Sequence, residues 1–178
     1  PTLLDLAGVD YASGDFDGTS FADVLEGDET KRDEPLFFEL GYVRAVLHEG
    51  WKYIALRYPD NAANMPLEKR KQILEKFNEE QIRKGRPVYT EDPTAKFSHV
   101  MLVPGGGDAE HMSMGKSPGF YDADQLYHIA RDPDEQTNLA SDPAYAEKLK
   151  ELKELLKSHL AEMPGTFGEL KPAPAPAP

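Results

Sequence analysis

The segment Gln125–Tyr145, QLYHIARDPDEQTNLASDPAY, constrains the fold of this chain more than any other stretch. It opens with a strand-like run, QLYHI, and meets two Asp-Pro pairs, Asp132-Pro133 and Asp142-Pro143, before a helical pattern begins. A residue before proline is pushed out of the helical region, and proline has no N–H to give a sheet ladder. The first pair therefore turns the strand out of its sheet. The second is suited to open a helix, with Ser141 or Asp142 as the cap, Pro143 at the first position and Glu147 near the positive end of the dipole. Tyr145, Leu149, Leu152, Leu155, Leu156 and Leu160 then recur at helical spacing and form one apolar face, which Pro164-Gly165 ends.

A helix with one apolar face needs a sheet or another helix to cover it, and the sequence supplies a sheet upstream. LFFEL from Leu36, YVRAVLH from Tyr42 and WKYIALRY from Trp51 read as three strands, with Glu49-Gly50 as the tight turn between the last two. Alternation places Val43, Ala45 and Leu47 on one face and Tyr42, Arg44, Val46 and His48 on the other. With Gln125–Ile129 as a fourth strand, the expected fold is α+β. It is a four-stranded antiparallel sheet packed against a C-terminal amphipathic helix, with a helix-plus-loop insertion. The insertion covers about 61–121, with a helix over Pro66–Lys84 whose stripe is Leu67, Ile73, Leu74, Phe77 and Ile82. A Gly- and Pro-rich loop follows it. At the N-terminus, Thr2–Ala7 reads as the end of a helix stopped by Gly8, and Phe21–Leu25 as a helical turn closed by Gly27. One subdomain over 1–165 and a Pro/Ala-rich tail over 166–178 complete the expected organisation.

Composition narrows the function. Thirty-nine per cent hydrophobic residues in 178 support one domain with a core. The absence of cysteine excludes disulfides and thiolate metal sites. A net charge of −12 disfavours nucleic acid as a partner, and no apolar run is long enough to span a membrane. Residues 1–35 carry acids throughout with only Lys31 and Arg32 as bases, whereas Pro66–Arg86 is locally basic. Gly115-Lys116-Ser117 is not a phosphate-binding loop, because Glu110 stands where its first glycine belongs and Pro118 blocks the following helix. The histidines show no HExxH pattern.

Four pieces in order carry a family resemblance: PTLLDLAG at Pro1, Asp17-Gly18-Thr19-Ser20, RAVLHEGWKYI at Arg44, and LYHIARDPDEQTNL at Leu126. Together they resemble the C-terminal subdomain of the type I, formylglycine-dependent sulfatases of the alkaline-phosphatase superfamily. The last piece is the most specific, and it departs from the family pattern only in His128, where an Asp is usual. The resemblance implies a parent that hydrolyses sulfate esters with formylglycine and calcium. In that family the nucleophile and the metal ligands lie upstream of the PTLLDLAG-type segment. This chain has no Cys and no Ser followed by x-Pro-x-Arg, so it is expected to lack the reaction centre, to hold no cofactor and to be inactive alone. Beginning at Pro1 inside a helix, it reads as a piece of a longer protein.

The implied partners are the N-terminal catalytic domain of the same protein and a sulfated small molecule or glycan, with self-association through the exposed docking face. The implied location is periplasmic or extracellular. Arginine binds sulfate or carboxylate bidentately, which makes Arg44 the first candidate substrate contact, together with His48, His99 and His111. Arg44 has a plainer alternative, an ion pair with Glu39 across the hairpin. A related phosphatase or phosphonate hydrolase subdomain, or a stand-alone binding module, are the alternative readings of the whole.

Overall fold

In a computed structural model, residues 1–27, 34–98, 103–105 and 116–172 are described. They fall into two compact units, Pro1–Glu34 and Pro35–Pro178.

The first unit holds α1 (Thr2–Leu6) and α2 (Ala22–Leu25). Gly8 and Gly27 stop them with φ of +67° and +99°, the left-handed conformation that glycine adopts without a Cβ clash. The Thr2 hydroxyl accepts the Phe21 N–H at 3.1 Å and the Ser20 hydroxyl accepts the Ala22 N–H at 3.3 Å. Ser20, the last residue of the Asp17–Ser20 motif, thus satisfies one of the orphan donors at the start of α2. Leu3 is 80% exposed and Leu6 48% exposed.

The second unit is built on a sheet of β1 (Leu36–Leu40), β2 (Val43–His48), β3 (Trp51–Leu56) and β4 (Asp124–His128), antiparallel throughout in the order β1-β2-β3-β4. Register puts Phe37, Val46, Tyr53 and Leu126 side by side in one row. These four share a face, and against it lies the C-terminal helix α5 (Ala146–Glu162) through Leu152, Leu156 and Leu160. Asp142 accepts the Ala144 N–H at 2.9 Å, and the chain enters α5 through one 3₁₀ turn over Pro143–Tyr145. The expected α+β architecture is the one observed.

Beyond α5 the expected boundary moves. Phe167 and Leu170 are buried in the same core, so residues 166–171 form a strap over the sheet and are not part of a solvated tail. Glu169 and Lys171 hold the strap in place. Glu169 receives two bonds from Arg57 Nε, at 2.9 and 3.0 Å, and Lys171 caps carbonyls of Leu160 and Met163 at the end of α5. Hydropathy alone hides this, because two apolar residues among polar neighbours give no periodic signal.

The Leu126–Leu139 motif closes the outer edge of β4. Asp132 accepts the N–H groups of Gln136 and Thr137 at 2.9 and 2.8 Å, which folds the turn. Asn138 then stands where a fifth strand would be: its Oδ1 accepts the Leu126 N–H at 2.9 Å and its Nδ2 donates to the Asp124 carbonyl at 3.0 Å. Leu139 N–H adds a bond to the Leu126 carbonyl at 2.9 Å. An open sheet edge is a liability, and this motif removes it.

Between β3 and β4 lies the insertion, with α3 (Asp60–Ala63) and α4 (Leu67–Arg83). The sequence stripe on α4 holds only at its centre. Leu74 is buried, but Leu67 and Ile82 are 55% and 67% exposed, while Asn78 and Gln81 are buried. Asn78 is inside because α4 packs on an irregular loop that presents a carbonyl to it: Asn78 Nδ2 donates to the Thr90 carbonyl at 2.8 Å. The other face of the sheet is uneven. Ala45, Leu56, Gln125 and Tyr127 are buried on it, whereas Leu36, Phe38 and Leu40 of β1 stay 56%, 49% and 64% exposed.

Candidate functional site

At the end of the sheet where β2 begins and β3 finishes, a cleft of about 180 Å³ is lined by Tyr42, Arg44, Arg57, Tyr58, Thr166 and Phe167. Arg44 projects toward the α5 face. It pairs with Glu39, donates to the carbonyls of Gly41 and Val43 at 3.0 and 2.8 Å, and lies 4.9 Å from the centre of the Phe167 ring. Tyr42 and Tyr58 meet edge to face at 5.3 Å and form the aromatic wall.

Arg57 is the structural pivot of this end. Its Nη2 donates to Asp124 Oδ1 at 2.8 Å and to Glu169 Oε1 at 2.7 Å, its Nη1 to the Leu56 carbonyl at 3.0 Å, with a further bond to the carbonyl of Ala123. Burial works against its charge, but the bonds to Glu169 and Asp124 win, so its proton is held more tightly than usual. Asp124 also accepts from the Tyr53 hydroxyl at 2.6 Å and from Lys153 at 2.8 Å. Burial raises the Asp124 carboxyl, yet hydrogen bonds from Lys153, Tyr53 and Arg57 outweigh it and bring it to about 2. Burial and the Asp124 bond keep Tyr53 protonated. The arrangement locks strand, helix and strap together, with every charge matched.

His48 lies on the same face of β2 as Arg44 but at the other end, four residues or roughly 13 Å away along the strand. The structure therefore does not bring these two candidates into one site. His48, Glu49 and Glu151 present ligand atoms within 4.8 Å of one another. Lys148 already sits on this group, bonded to Glu151 at 2.7 Å and to Glu49 at 3.4 Å. His99 and His111 fall outside the described residues.

No family model matches the chain. A delta 4,5-hexuronate-2-O-sulfatase from Bacteroides thetaiotaomicron is 25% identical to it over 171 residues, which is 96% of this chain. This chain is similar to part of a sulfatase. The sulfatase-like chain spans about a quarter of that curated relative, 24% of its length. Two solved structures cover 90% of it: a 2-O GAG sulfatase at 22% identity, 23% coverage of that chain and a TM-score of 0.45, and a protein of glycosaminoglycan metabolism in Bacteroides thetaiotaomicron at 19%, 24% and 0.48.

For the sulfatase-like chain, calcium is the metal the resemblance implies, and the described residues do not fit it. Calcium takes six to eight oxygens. The grouping at His48 offers one imidazole and two carboxylates, and the Lys148 ammonium already sits between those carboxylates. The residues that sequence reading missed are Arg57, Tyr53, Asp124, Lys153 and Glu169. Alternation places Tyr53 and Arg57 on one side of β3, but Arg57 and Glu169 are 112 residues apart, and nothing local links them.

Proposed function

We propose that this chain is the C-terminal subdomain of a sulfuric ester hydrolase, which packs on the catalytic domain of the same protein and shapes the rim of its substrate cleft. Its single strongest support is the open apolar face of β1, where Leu36, Phe38 and Leu40 stand exposed on an otherwise well-buried sheet. Burying side chains of this kind contributes roughly 1.5–3 kcal/mol each, so a strand left in this state favours a partner. The catalytic domain is the occupant we assign, because the matched relative has about three-quarters of its length outside the aligned region. The substrate is a sulfated glycan or small molecule, the parent uses formylglycine and calcium, and it works in the periplasm or outside the cell. Arg44, His48, His99 and His111 contact the non-reacting part of that substrate. Among the described residues, no helix is long and apolar enough to cross a membrane.

The test compares this chain with the full gene product on an aryl sulfate and on a 2-O-sulfated hexuronate saccharide. The full protein turns over sulfate esters, and the 178 residues alone turn over none. In the full protein, Phe38→Asp lowers the yield of active enzyme, whereas Arg44→Ala raises KM more than it lowers kcat. Calcium-dependent turnover by the chain alone, or turnover of phosphate esters only by the full protein, overturns the proposal.

A further inference from the structure

We propose that the cleft between Tyr42, Tyr58, Arg57 and Thr166 is a subsite for one uncharged face of a saccharide ring, and not a sulfate pocket. Its volume, about 180 Å³, falls below the ~300–1,000 Å³ of a typical small-molecule site and suits a single ring of a longer ligand. The wall is aromatic: the two half-buried tyrosines stand at 64° to each other with centroids 5.3 Å apart, so each offers part of a ring surface to the apolar C–H side of a sugar. The hydroxyls of Tyr42 and Thr166 make no hydrogen bond among the described residues. Both can donate and accept, which is what sugar hydroxyls need.

Charge decides against an anion. Arg44, Arg57 and Lys153 supply three positive charges, and Glu39, Asp124 and Glu169 supply three negative ones bonded directly to them. The charges at this end balance, so a sulfate brought here meets guanidinium groups already neutralised. Paired planar groups of this kind still suit hydroxyls, since the carboxylates keep spare lone pairs and exposed edges. Glu169 has 64% of its side chain exposed. The lip is tethered by the Arg57–Glu169 and Lys171–Leu160 bonds, and Gly168, with φ of +53°, lets the strap pass where an added Cβ would lie 3.3 Å from Arg57 Cδ. A subsite on a tethered strap needs little ordering when the ligand arrives.

This inference rests on the saccharide reading of the substrate, and its test separates the two. Isotope-labelled chain is titrated with a hexuronate disaccharide in two forms, one 2-O-sulfated and one unsulfated with its carboxylate reduced to the neutral alcohol, with amide shifts as the readout. Both forms shift Tyr42, Thr166 and Gly168, with affinities within about threefold of each other, because the sulfate points elsewhere. Tyr42→Ala weakens both by ~10-fold, while Tyr42→Phe, which keeps the ring, stays within ~3-fold. Shifts from the sulfated form alone, shifts that avoid these residues, or an unchanged affinity in Tyr42→Ala each overturn the subsite. A full-length protein that hydrolyses only phosphate esters would sink the sulfatase reading and leave these shifts as they are.

Discussion

Replacing Asn138 by Ala tests whether the most specific motif of the chain acts as a surrogate strand. The side chain makes four bonds: it accepts from Leu126 N–H at 2.9 Å and Ala140 N–H at 3.0 Å, and donates to the Asp124 carbonyl at 3.0 Å and Asp122 Oδ2 at 2.9 Å. Leu126 is fully buried, so its N–H has no water to turn to. A buried main-chain group left without a partner costs roughly 1–3 kcal/mol, so the Leu126 N–H dominates the sum and the half-buried Asp124 carbonyl adds a smaller part. The exposed bond to Asp122 adds little. A loss of about 3 kcal/mol follows, which at a urea slope of roughly 1–3 kcal/mol per molar moves the midpoint down by ~1–3 M. Trp51 is the chain's one tryptophan and packs in the same unit against His128, at 4.6 Å, and Tyr145, so its fluorescence follows the transition. Asn138→Asp keeps the acceptor but loses both donations and puts a carboxylate beside Asp122, so it should also destabilise the fold. A midpoint for Asn138→Ala within about 0.2 M of the unsubstituted chain, at equal slope, would refute the edge-closing role.

Two further outcomes follow from the same unit. Gly119→Ala should lower the thermal midpoint, at a cost of about 1–3 kcal/mol, because the added Cβ falls 2.6 Å from the hydroxyl of Tyr127, a residue buried to 1% exposure; an unchanged midpoint would show that the 118–121 turn yields freely. For Asp124, the folded carboxyl at about 2 lies below its unfolded value near 3.9, so its stabilising contribution is complete above that value and is lost as pH falls from about 4 through 2. Asp124→Asn should therefore be less stable at neutral pH and flatter between pH 4 and 2 in urea titrations at fixed pH, and parallel curves for the two proteins would count against the assigned bonds.

Local sequence determined the elements. Alternation in β2 and β3, the Asp-Pro turns and the leucine spacing of α5 each specify one conformation over a few residues, and Leu152, Leu156 and Leu160 are buried as their spacing implies. The motifs that carry the sulfatase resemblance are legible for the same reason, since a turn such as Asp132–Thr137 closes within its own six residues. Long-range choices were not legible. The Arg57–Asp124–Glu169 lock joins residues 67 and 112 positions apart, and only the tertiary fold sets which charges meet. The strap shows the same limit: Phe167 and Leu170 are two apolar residues in a polar run, and they become core only because Arg57 and the end of α5 draw the chain back over the sheet. Arg44 marks the boundary between the two kinds of information. Its type and its face on β2 follow from the sequence, but whether its charge is free or spent depends on Glu39, Phe167 and two carbonyls arriving together, and that is a property of the packed structure.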